Sequence, residues 1–249
     1  MTVTSVKAMS ATVDIRRAAD RAVTRTSWLE SRHSFSFGDH YEPDNTHHGL
    51  LLVNNDDIVA PDNGFQAHPH RDMEIVTWVL EGELTHQDSA GNHGVVYPGL
   101  AQRMSAGSGI LHSEKNDSPT RPVHFVQMWV LPDEANISPS YQQHEIDDHT
   151  LRGGLVTIAS GIAHHDAAIS LHQRRAALHC ARLRSGESVD LPAAPYLHAF
   201  VVRGRVTCED AEDLGEGDAA RFTDSDGRRL TAQQPSEVLV WEMHAKLGG

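Results

Sequence analysis

The ten residues 79–88, VLEGELTHQD, return at 201–210 as VVRGRVTCED, with the shared pattern apolar-apolar-x-Gly-x-apolar-Thr-x-x-Asp. Further on, 122–129 (PVHFVQMW) is echoed by 235–241 (PSEVLVW), with the tryptophan displaced by one position. Two matches in the same order at similar offsets point to duplication of one structural unit. That unit is β-type. Runs such as GLLLVNN, EIVTWVLEG, HFVQMWVLP, HAFVVRGRVTC and EVLVWEMH are short, rich in β-branched and aromatic residues, and separated by Gly, Pro, Asn and Asp. Helical periodicity is weak, with one short helix expected near residues 16–22. Many short strands without alternating helices predict an all-β sandwich or jelly-roll barrel, and the duplication predicts two of them stacked. The expected division is 1–135 and 136–249, in the polar stretch 132–145.

With 249 residues, 39% of them hydrophobic, the chain has enough apolar mass to bury a core. A net charge of −13 repels phosphate backbones and anionic lipid, and the densest basic pairs, Arg16-Arg17, Arg174-Arg175 and Arg228-Arg229, are expected on solvated faces. Neither a nucleic-acid nor a membrane partner is expected. Cys180 and Cys208 form no CxxC and no disulfide framework, so both are expected to be buried apolar residues. The start of the chain lacks the apolar core of a signal peptide, and no later run reaches a membrane span. The expectation is a soluble cytoplasmic protein, monomeric for want of an exposed apolar helix.

Eighteen histidines make histidine alone uninformative, so arrangement has to carry the argument. In a strand, residues two apart share a face, so His68 and His70 present both imidazoles to one side. Pro69 between them suits a strand edge or mouth. His112 and Glu114, in GSGILHSEKN, are again two apart. Neither pair is specific alone. On neighbouring strands facing inward they would supply three imidazoles and a carboxylate, a set for Fe, Mn, Ni, Co, Cu or Zn with positions left for substrate.

His-x-His-x3-Glu, a glycine turn, then Gly-x2-His-x3-Asn is the two-part motif of the cupin superfamily. HPHRDMEIVTWVLEGELTHQDSAGN, MSAGSGILHSEKN and WLESRHSFSFGDHYEPDNTHHGLLLVNNDD further resemble the pirin family of bicupins. The resemblance covers nearly all of residues 12–135 and is looser beyond. It implies two stacked cupin barrels, an N-terminal metal-binding domain, and a metal, Fe(II) by preference, held by His68, His70, His112 and Glu114. Glu74, the first-motif glutamate that ligates metal in many cupins, is then expected outside the ligand set. The resemblance extends to bacterial members described as quercetin 2,3-dioxygenases, which implies a flavonol-like substrate, O2 and release of carbon monoxide. Glu114 is the base these motifs offer. Two alternatives stay open: an oxygenase for another enolisable substrate, and a non-enzymatic iron-binding regulator acting through a protein partner.

The repeat gives an internal comparison. Counting back from Gly204 as from Gly82 puts Asp190, Pro192 and Tyr196 where His68, His70 and Glu74 stand. Aligning Gly227 on Gly109 puts Leu230 and Ala232 at the second pair. The C-terminal barrel is therefore expected to lack the ligands and to serve structure. His33, His40, His47, His48, His164, His165 and His172 are expected at surface or hydrogen-bonded positions. Trp28, Trp78, Trp129 and Trp241 are expected in core packing, and Phe35, Phe37 and Phe65 either there or at the mouth of the metal pocket.

Overall fold

The computed structural model describes residues 12–248, and the start of the chain on which the signal-peptide expectation rested lies outside the described residues. Nearly every element is a strand, and each half is a seven-stranded sheet facing a four-stranded one rather than a ring hydrogen-bonded all the way round. In the first half the large sheet runs Ser140–Glu145, Leu100–Ser105, Glu74–Glu81, Val123–Val130, Leu51–Val59, Leu29–His33, Ala22–Arg25. Its small sheet runs Asn63–His70, Ile110–Asn116, Leu84–Asp88, His93–Val96. The second half repeats the plan around Ala194–Arg203, Ser236–Met243 and Ala176–Leu183, with Arg229–Ala232 and Arg205–Cys208 in its small sheet.

Two strands cross the expected division. Thr12–Arg16 pairs with Ala219–Ser225 of the second half, and Ser140–Glu145 pairs with Leu100–Ser105 of the first. Edge strands exchanged in this way cover backbone groups that would otherwise be unpaired. The helix expected near 16–22 is only a single 3-10 turn, Ala18–Asp20, where the chain passes from one sheet to the other. The one α-helix among the described residues is Asp148–Leu151, with Asp147 accepting a hydrogen bond from the Thr150 N–H at its start. No helix among these residues is long and apolar enough to cross a membrane.

Alternation explains the three apolar layers. In Glu74–Glu81, Val76, Trp78 and Leu80 point toward the second half, while Ile75 and Val79 point into the first sandwich. In Ser236–Met243, Leu239, Trp241 and Met243 meet them across the junction, and Val238 and Val240 enter the core of the second sandwich. The two large sheets thus stack back to back over the largest core cluster. Trp78 is wholly buried there, its Nε1 donating to Glu237 Oε1 at 2.7 Å. Truncating such a residue costs about 3–5 kcal/mol. Cys180 lies in this layer and Cys208 in the second sandwich, both buried thiols.

The repeat has a common backbone device. Gly82 and Gly204 sit at φ 78° and 86°, and a Cβ at either would fall 2.7 or 2.4 Å from the carbonyl oxygen of Pro122 or Pro235. The displaced tryptophan also acquires a meaning. Trp129 pairs with Ile75, whereas Trp241 pairs with His198, the counterpart of Val76. A one-residue offset reverses the face. Trp129 therefore looks into the first sandwich and Trp241 into the junction.

Candidate metal centre

His68 and His70 end the strand Asn63–His70, and His112 and Glu114 lie on its antiparallel neighbour Ile110–Asn116. His68 stands opposite His112, and a bulge between His112 and Glu114 sets Phe65 opposite Glu114. His68 Nε2 and His112 Nε2 approach to 3.1 Å. The His68 Nδ1–H donates to the Gln66 carbonyl at 2.7 Å, which fixes the tautomer that leaves Nε2 with its lone pair. His70 Nε2 is buried without a hydrogen-bond partner. The rings of His68, His70 and His112 lie 4.5–4.9 Å apart, centroid to centroid. Burial, with neighbouring imidazoles adding to it, pushes His70 down to about 4 and His112 down to about 3. Both are neutral near pH 7, the form in which imidazole binds a metal. Converging lone pairs, an orphaned buried nitrogen and neutral rings fit a divalent transition metal.

Glu114 is 3% exposed, and the Gln127 Nε2–H2 donates to both of its oxygens at 2.9 Å. Trp129 Nε1–H donates to Gln127 Oε1 at 3.1 Å, so the Gln127 amide is oriented with its nitrogen toward the carboxylate. Ligand atoms of His68, His70 and His112 lie within 4.8 Å of one another, and so do those of His86, His112 and Glu114. The two groups share His112. Glu114 thus adjoins the three imidazoles through His112, and it brings His86, absent from the sequence reading, beside the centre. His86 pairs with Glu114 across the sheet, its Nε2 lies 3.2 Å from Asp88 Oδ2, and its ring stacks on Tyr141. Leu84, His86 and Asp88 all face inward by strand alternation, which was the signal available for His86.

Glu74 lies on the other side of the sheet. Its carboxylate accepts from the His172 backbone N–H at 2.9 Å and sits 4.0 Å from Arg103. Even-numbered positions of that strand face the junction, away from the imidazoles.

A cavity of about 750 Å³ opens beside the imidazoles. Trp28 and Phe65, edge to face at 5.2 Å, form one aromatic wall, and Phe37 and Trp129, at 5.6 Å, another. Trp28 and Trp129, expected in core packing, thus line the cavity, whereas Phe35 lies in the junction beneath Arg221. His33 is hydrogen-bonded as expected, yet it too lines the cavity. Glu114 is not the only carboxylate there: Asp57 also lines it, and burial pushes Asp57 up to about 7, with the charges of Asp56 and Glu114 adding to the shift.

Among the described residues, the second sandwich has no such centre. Leu230 pairs with Cys208 as Glu114 pairs with His86, and Cys208 is the repeat counterpart of His86. Leu230 therefore stands in the place of Glu114, two residues from the equivalence expected from Gly227. It and Ala232 are buried in apolar packing.

The Pirin family model matches residues 16–130, and a model described as the quercetinase C-terminal cupin domain matches residues 157–243. A Mycobacterium tuberculosis H37Rv protein named "Putative quercetin 2,3-dioxygenase" is 73% identical over 240 residues, covering 96% of this chain and 98% of its own. The Escherichia coli K12 "Quercetin 2,3-dioxygenase" is 36% identical over 230 residues, covering 92% and 97%. Among solved structures, a bacterial pirin from Escherichia coli in complex with nickel(II) superposes with a TM-score of 0.87 at 35% identity, covering 94% of this chain and 100% of that one.

Proposed function

The chain belongs to the pirin family, and on that footing we propose that it is a metal-dependent dioxygenase that opens the heterocyclic ring of flavonols such as quercetin with O2 and releases carbon monoxide. The observation that carries this reading is the convergence of His68, His70 and His112 beside an aromatic-walled cavity of about 750 Å³. A space of that size suits a flat ligand of drug-like dimensions. His68, His70, His112 and Glu114 would hold the ion, for which we propose Fe(II); the Escherichia coli pirin binds nickel(II). When bound, the ion supplies a Lewis acid for the flavonol oxygens and a site of reaction with O2.

The chain's own groups do the rest. Trp28, Phe65, Phe37 and Trp129 form walls for a planar ring system and limit the water around it. Glu114 takes the proton of the flavonol 3-hydroxyl, held in place by Gln127, which Trp129 in turn orients. In the neutral His68 ring the Nδ1–H is committed to the Gln66 carbonyl, so the lone pair turned to the centre is that of Nε2.

The test is O2 uptake together with loss of flavonol absorbance on adding quercetin to the metal-analysed protein, with the His68→Ala/His70→Ala double variant as control. Metal-dependent turnover that the control lacks is the expected result. Metal-loaded protein that leaves quercetin intact with each of Fe, Mn, Ni, Co, Cu and Zn overturns it. Glu114→Gln is expected to keep much of the metal and lose turnover. Normal activity in that variant removes Glu114 from the proton-accepting role.

A further inference from the structure

One wall of the cavity carries polar groups that neither hold the metal nor take the 3-hydroxyl proton. Asp57, 4% exposed on the strand Leu51–Val59, has an Oδ1 that is buried and lacks any hydrogen-bond partner. Two residues along the same strand, Asn55 accepts at Oδ1 from the His33 Nδ1–H at 2.9 Å, and His33 Nε2 lies 2.8 Å from Thr24 Oγ1. Burial lowers His33, so it is the neutral ring that donates to Asn55 and accepts from Thr24. This relay sets the Asn55 amide with its NH2 as the donor it can offer the cavity.

Asp56 shows what Asp57 lacks. It sits between Arg21, at 3.2 Å, and His124, at 2.5 Å. The groups bearing on Asp57 are the Ser31 hydroxyl and, less strongly, Arg21, which favour its ionisation, and Asp56 and Glu114, which oppose it; Oδ1 is the oxygen left without a partner. A buried carboxyl oxygen without a partner is costly, and native chains rarely keep one without a group to fill it. Here the open oxygen belongs to a residue that lines a ligand-sized cavity.

We propose that Asp57 is a second reading point of the site: its open oxygen accepts a hydrogen bond from a ring hydroxyl of the bound flavonol, beside the Asn55 NH2, so that polyhydroxylated flavonols are selected over the bare ring system. This rests on the dioxygenase reading and adds to it which flavonols are taken. The hydroxyl that Asp57 reads is distinct from the 3-hydroxyl at the metal end.

The experiment is anaerobic binding of quercetin and of 3-hydroxyflavone to metal-loaded wild type, Asp57→Leu and Asp57→Ala, followed by flavonol absorbance, with metal content measured in each protein. The second ligand keeps the hydroxy-ketone and lacks every ring hydroxyl. The ratio of the two affinities is expected to fall about tenfold in both variants, through weaker quercetin binding, at unchanged metal content. Should Asp57→Leu fail to fold, Asp57→Ala carries the same expectation. A ratio unchanged in the variants, or equal weakening of both flavonols, overturns the role of Asp57 and leaves the dioxygenase reading standing. Wild type that binds neither flavonol overturns both.

Discussion

The two sandwiches share a plan and differ in what fills them. In the second, Leu191, Val206, Cys208, Phe222, Leu230 and Val240 close the interior into one apolar cluster. In the first, the space between the sheets is divided: small apolar clusters around Phe125 and Met104 lie apart, and the rest is given to His68, His70, Glu114, Gln127 and Asp57 around the cavity. Val240 holds the place of Gln127, and Leu230 that of Glu114. The repeated backbone thus tolerates either an apolar core or a cavity lined by polar groups. Burial that stabilises one half is withheld in the other, where the large apolar layer at the junction supports the sheet from behind.

The sharpest way to break this comparison is at the imidazoles. His68→Ala/His70→Ala is expected to abolish metal retention by elemental analysis while leaving the melting temperature of the metal-free protein nearly unchanged, because both residues are only partly buried. Collapse of the metal-free fold would show that the first interior depends on these rings for packing. Next in size is Leu230→Glu, which places the carboxylate of Glu114 in the apolar half without a Gln127 to receive it. About 3 kcal/mol or more of stability is expected to be lost in urea titrations. Retention of full stability would mean that the second core is wetter than its packing indicates. The reciprocal glycine changes test whether the backbones are equivalent. Gly82→Ala and Gly204→Ala each combine positive φ with a close proline carbonyl and are expected to cost a similar amount, about 2 kcal/mol. A large difference between them would break the shared-plan argument.

Much of this contrast was legible in the sequence. The repeat announced two similar units, and period-two spacing put His68 with His70 and His112 with Glu114 on common faces. The apolar side chains at the matching positions of the second unit, Leu230 and Ala232, were also readable, even though strand pairing moves the equivalence by two residues. What escaped depends on pairing between distant segments. The exchange of Thr12–Arg16 and Ser140–Glu145 between halves leaves no local mark, since an edge strand reads the same in either sheet. His86 required knowing that Leu84–Asp88 lies beside Ile110–Asn116. Asn55 and Asp57, in the polar NNDD between LLLV and IV, broke the apolar run and were the available clue to the cavity's second wall. Trp129 and Trp241 looked like one repeated core residue because their single-position offset carries meaning only once the strands are in register.

The smallest expected effect concerns the cost of that second wall. The folded-state value of Asp57, about 7, lies above the ordinary 3.8 of an aspartate. Between those values the folded chain holds a proton that the unfolded chain has released, so the contribution is fully favourable below about 4 and is lost as pH rises through 7. Asp57→Asn removes this dependence by leaving a neutral side chain of the same shape. The variant is expected to be more stable than wild type at pH 8, by roughly 1–2 kcal/mol after relaxation and cavity water take their share, and little changed at pH 4 to 5. Thermal melts of both proteins across this range read the difference directly. His70 and His112 act in the opposite sense, since rings held near 4 and 3 resist protons that the unfolded chain accepts below about 6.5, and they destabilise both proteins equally on acidification. Taking the difference between wild type and variant cancels them and isolates Asp57. A gap that fails to open between pH 5 and 8 would mean that Asp57 is satisfied within the fold, and the first interior would then resemble the second more closely than its open oxygen indicates.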